Sequence, residues 1–374
     1  MTTYLDCNAT TPVSPDVAEL VMHFMVQEYG NSGSRTHEFG LTAKKAVERA
    51  REQVSKVIAA DKSEVYFTSG ATESNNIAIL GLLDYGNQSG KKHIITSTIE
   101  HKAVLEPIAY AAKKGFDVTY LPVDETGIIN PKELEAALRP DTLLISLMHI
   151  NNETGSIQDL DSICDVLKDH QAYLHVDAAQ SFGKYSEPLQ NQRLDLISIS
   201  GHKVYAPKGI GALIVRRRGY EKIPLVPIMY GGGQEKGLRP GTLPVSLIAG
   251  LGLAAENAYK NAEHWRSACL AIKNEILSCL TGLDYDINGD NSAAHVLNIS
   301  IKGLNSEAAM VALKGLIAVS NGSACTSQNY SASHVLKAMG LDDERIESAI
   351  RISWCHMTKD IPLMDIKERI SGLL

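Results

Sequence analysis

Long hydrophobic runs are missing from this sequence. The longest uncharged apolar stretch, Leu247 to Ala255, falls far short of the roughly 20 residues that a membrane span requires. The opening MTTYLDCNATTP has neither a basic head nor an apolar core, so no secretory leader is indicated and a cytoplasmic location is expected. The six cysteines (Cys7, Cys164, Cys269, Cys279, Cys325, Cys355) form no CxxC pair. That argues against a zinc ribbon or a disulfide framework and for reduced thiols, any of which can serve as a plain buried hydrophobe. A basic excess is also lacking: the formal net charge is -7 and the charges are interspersed, which leaves no field for counterion release from nucleic acid. Neither direct nucleic-acid binding nor membrane association is expected, and no metal site is read from the residues. Internal repeats, low-complexity tracts and charge runs are absent too.

What is present is a chain of 374 residues, beyond the size at which one core stops growing, so two domains are expected. Ser14-Pro15-Asp16 has the cap, first-turn proline and acid of a helix start, and apolar spacing carries that helix toward Tyr29. Leu41 to Ala60 reads as a longer helix with a wet face of Lys44, Lys45, Glu48 and Arg51. Short apolar strands such as HIITS, TLLISLM and LDLISIS then alternate with amphipathic helical stretches. This pattern predicts an α/β domain with a mainly parallel sheet covered on both faces. From Pro244 a long helical stretch runs to about Leu280 and leads into HVLNIS, SEAAMVALK, IAVS, SASHVLKAMG and ESAIRISW, a smaller α+β set. The expected division is an N-terminal segment 1–13 packed with the small domain, a large domain 14–258 and a small domain 259–374.

Several strand ends carry chemistry. Lys203 follows the apolar run Leu194 to Ile199 on the polar turn Ser200-Gly201-His202-Lys203, where open α/β sheets place their ligands. Thr68-Ser69-Gly70-Ala71-Thr72-Glu73 joins a strand to a helix and suits a phosphate, although alone it reads equally as a helix cap. Asp177 ends AYLHVD and His101 follows ITSTIE; each could be a cap or a satisfied core residue, or an acid and a proton carrier. An amine for a Schiff base, an acid for a pyridinium nitrogen and a phosphate cradle are together what pyridoxal phosphate requires. Cys325 stands apart from the other thiols in the small and polar run SNGSACTSQNY, where an exposed thiol beside such a cofactor suggests sulfur transfer, an incidental loop cysteine being the alternative.

These residues sit in motifs running from YLDCNATTPV through FTSGATESNN, ITSTIEHKAV, MHINNETG, HVDAAQSFGK, SGHKVYAPKGIGAL, GGGQEKGLRPGTLP and SNGSACTS to AIRIS. In them the chain closely resembles the cysteine desulfurases of the iron–sulfur-assembly and nitrogen-fixation type, within the class V pyridoxal-phosphate aminotransferases. The resemblance implies a type I aminotransferase-like fold, a large domain with a mainly parallel seven-stranded sheet plus a smaller α+β C-terminal domain, and a homodimer. It implies that Lys203 holds pyridoxal phosphate as a Schiff base, that Asp177 pairs with the ring nitrogen and that His101 stacks on the ring. Gln180 and Asn152 would approach the ring oxygen, while Ala71, Thr72, Ser200 and His202 would hold the phosphate, with Thr242 reaching that of the neighbouring subunit. Arg351, with help from Asn152, would clamp the carboxylate of L-cysteine. In the implied reaction the freed Lys203 amine takes the α-proton and the Cys325 thiolate takes the sulfur, leaving L-alanine and a persulfide for an acceptor protein.

The pattern departs from the family at Ser32, at Pro240 and at Trp354-Cys355-His356, and the ending ISGLL lacks a longer tail found in housekeeping members. A dedicated pathway, such as sulfur supply for DNA phosphorothioate modification, is therefore an alternative to iron–sulfur cluster assembly. An aminotransferase or selenocysteine lyase would keep Lys203 and Asp177 without needing Cys325, and a cofactor-less scaffold would keep only the fold. Cys355, close in sequence to Arg351, reads by preference as a buried thiol, and the sequence is silent on any redox role.

Overall fold

The computed structural model describes residues 2–289, 291–321 and 332–374, so Cys325 lies outside the described residues. The chain opens with β1 (Thr3–Tyr4), α1 (Pro15–Val26) and α2 (Glu38–Val57). α1 stops at Val26 instead of running on to Tyr29, and Ser14 gives it no side-chain cap; Asp16 Oδ1 accepts the Val17 N–H at 2.9 Å instead. α2 starts at Glu38, before the expected Leu41, because His37 caps it through Nδ1, which accepts the Gly40 N–H at 3.2 Å. It ends at Val57, just before Ala59 takes a left-handed φ of 50°.

The alternation then follows as the spacing predicts. β2 (Val65–Thr68), α3 (Ala71–Leu80), α4 (Leu83–Ser89), β3 (His93–Ser97), α5 (Lys102–Lys113), β4 (Asp117–Leu121), α6 (Pro131–Ala137), β5 (Thr142–Met148), α7 (Leu160–Val166), β6 (Tyr173–Asp177), β7 (Leu196–Ser200) and β8 (Gly211–Val215) come in that order. Their strands make a seven-stranded sheet of order β2-β8-β7-β6-β5-β3-β4. Only β8 runs against its neighbours. The physical reason is the short link from Gly201 to Ile210, which holds a single 3-10 turn and no crossover helix, and parallel pairing needs a crossover of about a dozen residues or more. β5, β7 and β8 are buried at every position, which is why they read as continuous apolar runs.

α8 (Val245–Leu280) has 36 residues and so spans ~54 Å. Its first half packs on α1 and α2 in the large core, where a Cβ added at Gly252 would lie 2.6 Å from the Ala50 Cα. Its second half, with Cys269, Ile276 and Leu280, faces a second core. The division expected at 258/259 passes through this unbroken helix. After it come β9 (Tyr285–Ile287), β10 (Val296–Ile301), α9 (Ser306–Leu313), β11 (Ile317–Ala318), α10 (His334–Ala338), α11 (Asp343–Glu347), β12 (Ala349–Ser353) and α12 (Leu363–Ser371). The sheet β12-β10-β9 is antiparallel and forms the smaller C-terminal domain.

The N-terminal segment ties the two cores together. β1 pairs with β11 and Asp6 bridges to Ser353 on the small-domain side. A few residues on, the N–H groups of Thr11 and Ser14 donate to the carbonyls of His202 (2.9 Å) and Tyr205 (3.1 Å) on the large-domain side.

Candidate active site

Because β2, β7, β6, β5 and β3 share a direction, their carboxyl ends lie along one edge of the sheet. That edge opens into a cleft of about 410 Å³, within the range of small-molecule sites. The cleft gathers Ser69 to Glu73 from the β2–α3 turn, His101 from the turn before α5, Asp177 from the end of β6, and Ser200, His202 and Lys203 from the turn after β7. Asn152 and Gln180 line it as well, and Arg351 reaches it from β12 of the small domain.

Each side chain is held. The Lys203 amine donates to the backbone carbonyls of Asn8 and Ala9, the latter at 2.9 Å. The Asp177 carboxylate, buried in the cleft wall, accepts from Asn75 Nδ2 at 2.7 Å and from the Ala179 N–H at 2.9 Å. Asp177 does not cap a following helix, so the simpler alternative for this acid falls away. His101 is both things the sequence allowed: it caps α5, its Nδ1 accepting the Ala103 N–H at 3.1 Å, and its ring lines the cleft. Burial draws its pKa down, Asp177 opposing and the Lys203 charge reinforcing, so the ring is neutral near pH 7. Burial and then the Lys203 charge bring His202 down to about 4, and its Nδ1 is 3.2 Å from Thr10 Oγ1.

The cleft fits an anionic, ring-bearing cofactor on the structure's own terms. Gly70 stands before α3 with φ of 153°, a conformation that favours glycine, and a Cβ there would sit 3.5 Å from Ser200 Oγ inside the cradle. The first-turn N–H groups of α3, at Ala71 and Thr72, have no intrahelical acceptor, and the helix dipole adds a positive field for phosphate. Gln180 Nε2 donates to the Asn8 carbonyl at 2.9 Å, while its Oε1 is buried without a hydrogen-bond partner among the described residues, as is Asn8 Oδ1. Buried polar atoms of that kind call for a ligand or water.

Arg351 is 1% exposed; Nη1 donates to the Asn152 carbonyl at 3.1 Å and Nη2 pairs with Asp6 Oδ1 at 2.7 Å. Its Nε has no hydrogen-bond partner among the described residues. An anion reaching this guanidinium would compete with Asp6 for Nη2 alone. Arg351 also pairs in backbone with Ser320, the N–H groups meeting the opposite carbonyls at 2.6 and 3.2 Å. The chain resumes beyond residue 331 against the same region, where Ser333 Oγ donates to Glu153 Oε2 at 2.6 Å and His334 Nε2 lies 3.0 Å from the Glu100 carbonyl. Both flanks of the segment carrying Cys325 are thus fastened beside the cleft.

Thr242 is exposed and does not line this chain's cleft. Residues passed over in the sequence as site members are Asn8, Ala9, Asp6 and Lys208, all at or against the cleft. The signal for the first three lay in YLDCNATTPV, but only folding brings Asn8 to Lys203, 195 positions away. Among the described residues no cluster of three or more His, Cys, Asp or Glu is placed to hold a metal ion.

Beneath the cleft, Glu100 is fully buried; its Oε1 accepts from Ser97 Oγ (2.6 Å) and the Met148 N–H (2.9 Å), and Oε2 has no hydrogen-bond partner among the described residues. Burial pushes its pKa up to about 8, with the charge of Asp177 adding. The folded form therefore holds a proton that the unfolded chain releases at lower pH, and stability falls as pH rises from the ordinary carboxylate range toward 8. Glu100→Gln, which copies the protonated acid, is expected to gain on the order of 3 kcal/mol over the wild type at pH 8.5 and progressively less toward pH 5. Urea unfolding at the two pH values measures it; an advantage that is constant with pH would refute the assignment.

The sequence profile described as aminotransferase class-V matches residues 3–361. The chain is 45% identical over 366 residues to the cysteine desulfurase IscS of Vibrio campbellii, covering 96% of this chain and 89% of that one. Among solved structures it is similar to DndA from Streptomyces lividans, with 47% identity and a TM-score of 0.82 over 94% of this chain and 99% of that one. A second structure, SspA in complex with cysteine, is 38% identical with a TM-score of 0.82 over 94% and 98% of the two chains.

Proposed function

The chain belongs to the aminotransferase class-V family and within it to the cysteine desulfurases, and from that footing we propose that the cleft takes L-cysteine and passes its sulfur, through Cys325, to an acceptor protein. The family implies pyridoxal phosphate, which, when bound, supplies an electron sink for the pair released at the substrate α-carbon. What carries this reading is the convergence of Lys203, Asp177, His101 and Arg351 on one cleft from separate strands of two sheets.

In this reading Asp177, fixed by Asn75 and the Ala179 N–H, would pair with the ring nitrogen and keep it protonated. Ala71, Thr72, Ser200 and His202 would hold the phosphate, His101 would lie against the ring, and Gln180 with Asn152 would face the ring oxygen, all of them lining the cleft. Arg351 takes the substrate carboxylate in place of Asp6 and sets the α-carbon against Lys203, whose Nζ removes the α-proton. The Cys325 thiolate then takes the substrate sulfur, so that the carbon–sulfur bond breaks, a sulfur–sulfur bond forms and L-alanine leaves. Thr242, exposed on its own chain, is assigned to the phosphate of a second copy, which makes the working unit a homodimer. The acceptor belongs to iron–sulfur cluster assembly or to a dedicated route such as DNA phosphorothioate modification.

The test is to incubate the purified protein with pyridoxal phosphate, L-cysteine and a reducing thiol. Equal amounts of L-alanine and sulfide are expected. Amino transfer to a 2-oxo acid without sulfide would point to an aminotransferase, and protein that stays colourless with the cofactor would point to a scaffold.

A further inference from the structure

Asn75, in the second turn of α3, is fully buried and does not line the cleft. Its Nδ2 donates to Asp177 Oδ2 at 2.7 Å, across 102 positions of sequence. Its Oδ1 has no hydrogen-bond partner among the described residues. The neighbouring acid settles which way the amide points, since an ionised carboxylate only accepts and must face the NH2 group. Burying an unpaired carbonyl destabilises a fold, and an apolar side chain would fill the same space without that cost. The bond to Asp177 is therefore what accounts for an asparagine here.

The same helix carries the phosphate cradle. Ala71 and Thr72 open α3 and line the cleft, and Asn75 follows them by four and three positions, which sets it one turn on, ~6 Å along the axis from Ala71. The helix is fixed on either side of these residues. At its start Glu73 accepts the Ser69 N–H at 2.5 Å and pairs with Arg239 at 2.8 Å, and Ser74 Oγ lies 2.8 Å from Thr68 Oγ1 of β2. Beyond Asn75, Ile77, Ala78 and Ile79 pack in one core with Leu196 of β7 and Leu213 of β8. Asp177 ends β6, and its other oxygen accepts the Ala179 N–H at 2.9 Å. Asn75 thus joins the helix that presents the cradle to the acid at the end of β6.

We propose, on the reading of Asp177 and the cradle as cofactor contacts, that Asn75 is a positioning residue. Through its bond to Asp177 it sets the orientation of the acid and, with Ala71 and Thr72 on the same helix, the separation between the places for the ring nitrogen and the phosphate. Position 75 then requires an amide donor and not merely a filled space. Without that donor, Asp177 Oδ2 is left in the cleft wall with nothing from α3 to hold it, and the acid is free to turn. The phosphate end loses nothing, because Ala71 and Thr72 offer backbone N–H groups there. The loss is specific to a ligand that carries a ring nitrogen.

The test uses the full chain freed of cofactor and two ligands: pyridoxal phosphate and its deaza analogue, which keeps the aldehyde, the ring hydroxyl and the phosphate but has carbon in place of the ring nitrogen. Dissociation constants for both come from the absorbance change on binding. Wild type is expected to prefer pyridoxal phosphate, and Asn75→Leu to lose roughly 10-fold of that preference while binding the analogue as wild type does. Asp177→Asn should remove the preference, and adding Asn75→Leu to it should cost nothing more. An unchanged or raised preference in Asn75→Leu, an equal loss for both ligands, as a space-filling role would give, or an additive loss in the double variant would overturn the proposal. Wild type with no preference would remove the Asp177 assignment, and the proposal with it. Asn75→Asp covers the case in which the leucine variant misfolds. Its carboxyl donates to Asp177 when protonated and repels it when ionised, so its preference should match wild type at about pH 6 and fall below it at about pH 8. The other titratable groups around Asp177, namely His101, Lys203 and Glu100, are the same in both proteins. A match to wild type at both pH values would equally overturn the proposal.

Discussion

Cys325→Ser is expected to abolish persulfide formation from L-cysteine, with turnover down by at least ~10³-fold, while the bound cofactor's visible absorption stays intact. Serine keeps the size and polarity of the side chain but cannot accept sulfur. Both flanks of the segment are fastened: Ser320 is hydrogen-bonded in backbone to Arg351, a residue of the cleft wall, and Ser333 and His334 return the chain to Glu153 and Glu100. Cys325 lies five positions beyond Ser320, enough chain for a reach of ~17 Å from the cleft wall. Labelling with L-cysteine bearing radioactive sulfur, followed by alkylation and peptide mapping, measures the outcome. Unchanged sulfide release in the variant would assign the reaction to another group and return the protein to the lyase reading.

Lys203→Ala is expected to lower turnover by ~10²–10⁴-fold, the range that a positioned proton carrier contributes. Folding should survive, since the amine makes its bonds to two backbone carbonyls, Asn8 and Ala9, that line an open cleft and can be hydrated when the amine is removed. A control separates chemistry from scaffold. Adding a small primary amine to the variant should restore part of the activity if Lys203 works as an amine, and should do nothing if the residue only braces the N-terminal segment. A variant with wild-type turnover would remove Lys203 from the reaction altogether.

The sheet was legible because its strands are short, apolar and regularly separated by helices, a local pattern that burial on both faces produces. The turn carrying Lys203 was legible for the same reason: Ser200 to Lys203 follows a buried strand directly, so the position of the amine at the sheet's carboxyl edge is a local consequence. Helix limits were less so, as α2 shows. Its start depends on the His37 side chain turning back to cap Gly40, which apolar spacing does not record.

By itself, then, the sequence determined the order of strands and helices, the residue types at each strand end and hence the kind of cofactor those ends suit. Tertiary structure alone decided which distant segments complete them. Asn8 meets Lys203 across 195 positions and Asp6 pairs with Arg351 across 345, because the N-terminal segment crosses between the two cores. The meeting of Cys7 and Cys355 was equally hidden. Each reads alone as a buried apolar thiol, and only folding brings them from opposite ends of the chain into one buried cluster with Tyr205. Contacts of that kind leave no local pattern, since burial dictates that a side chain be covered but not which part of the chain covers it.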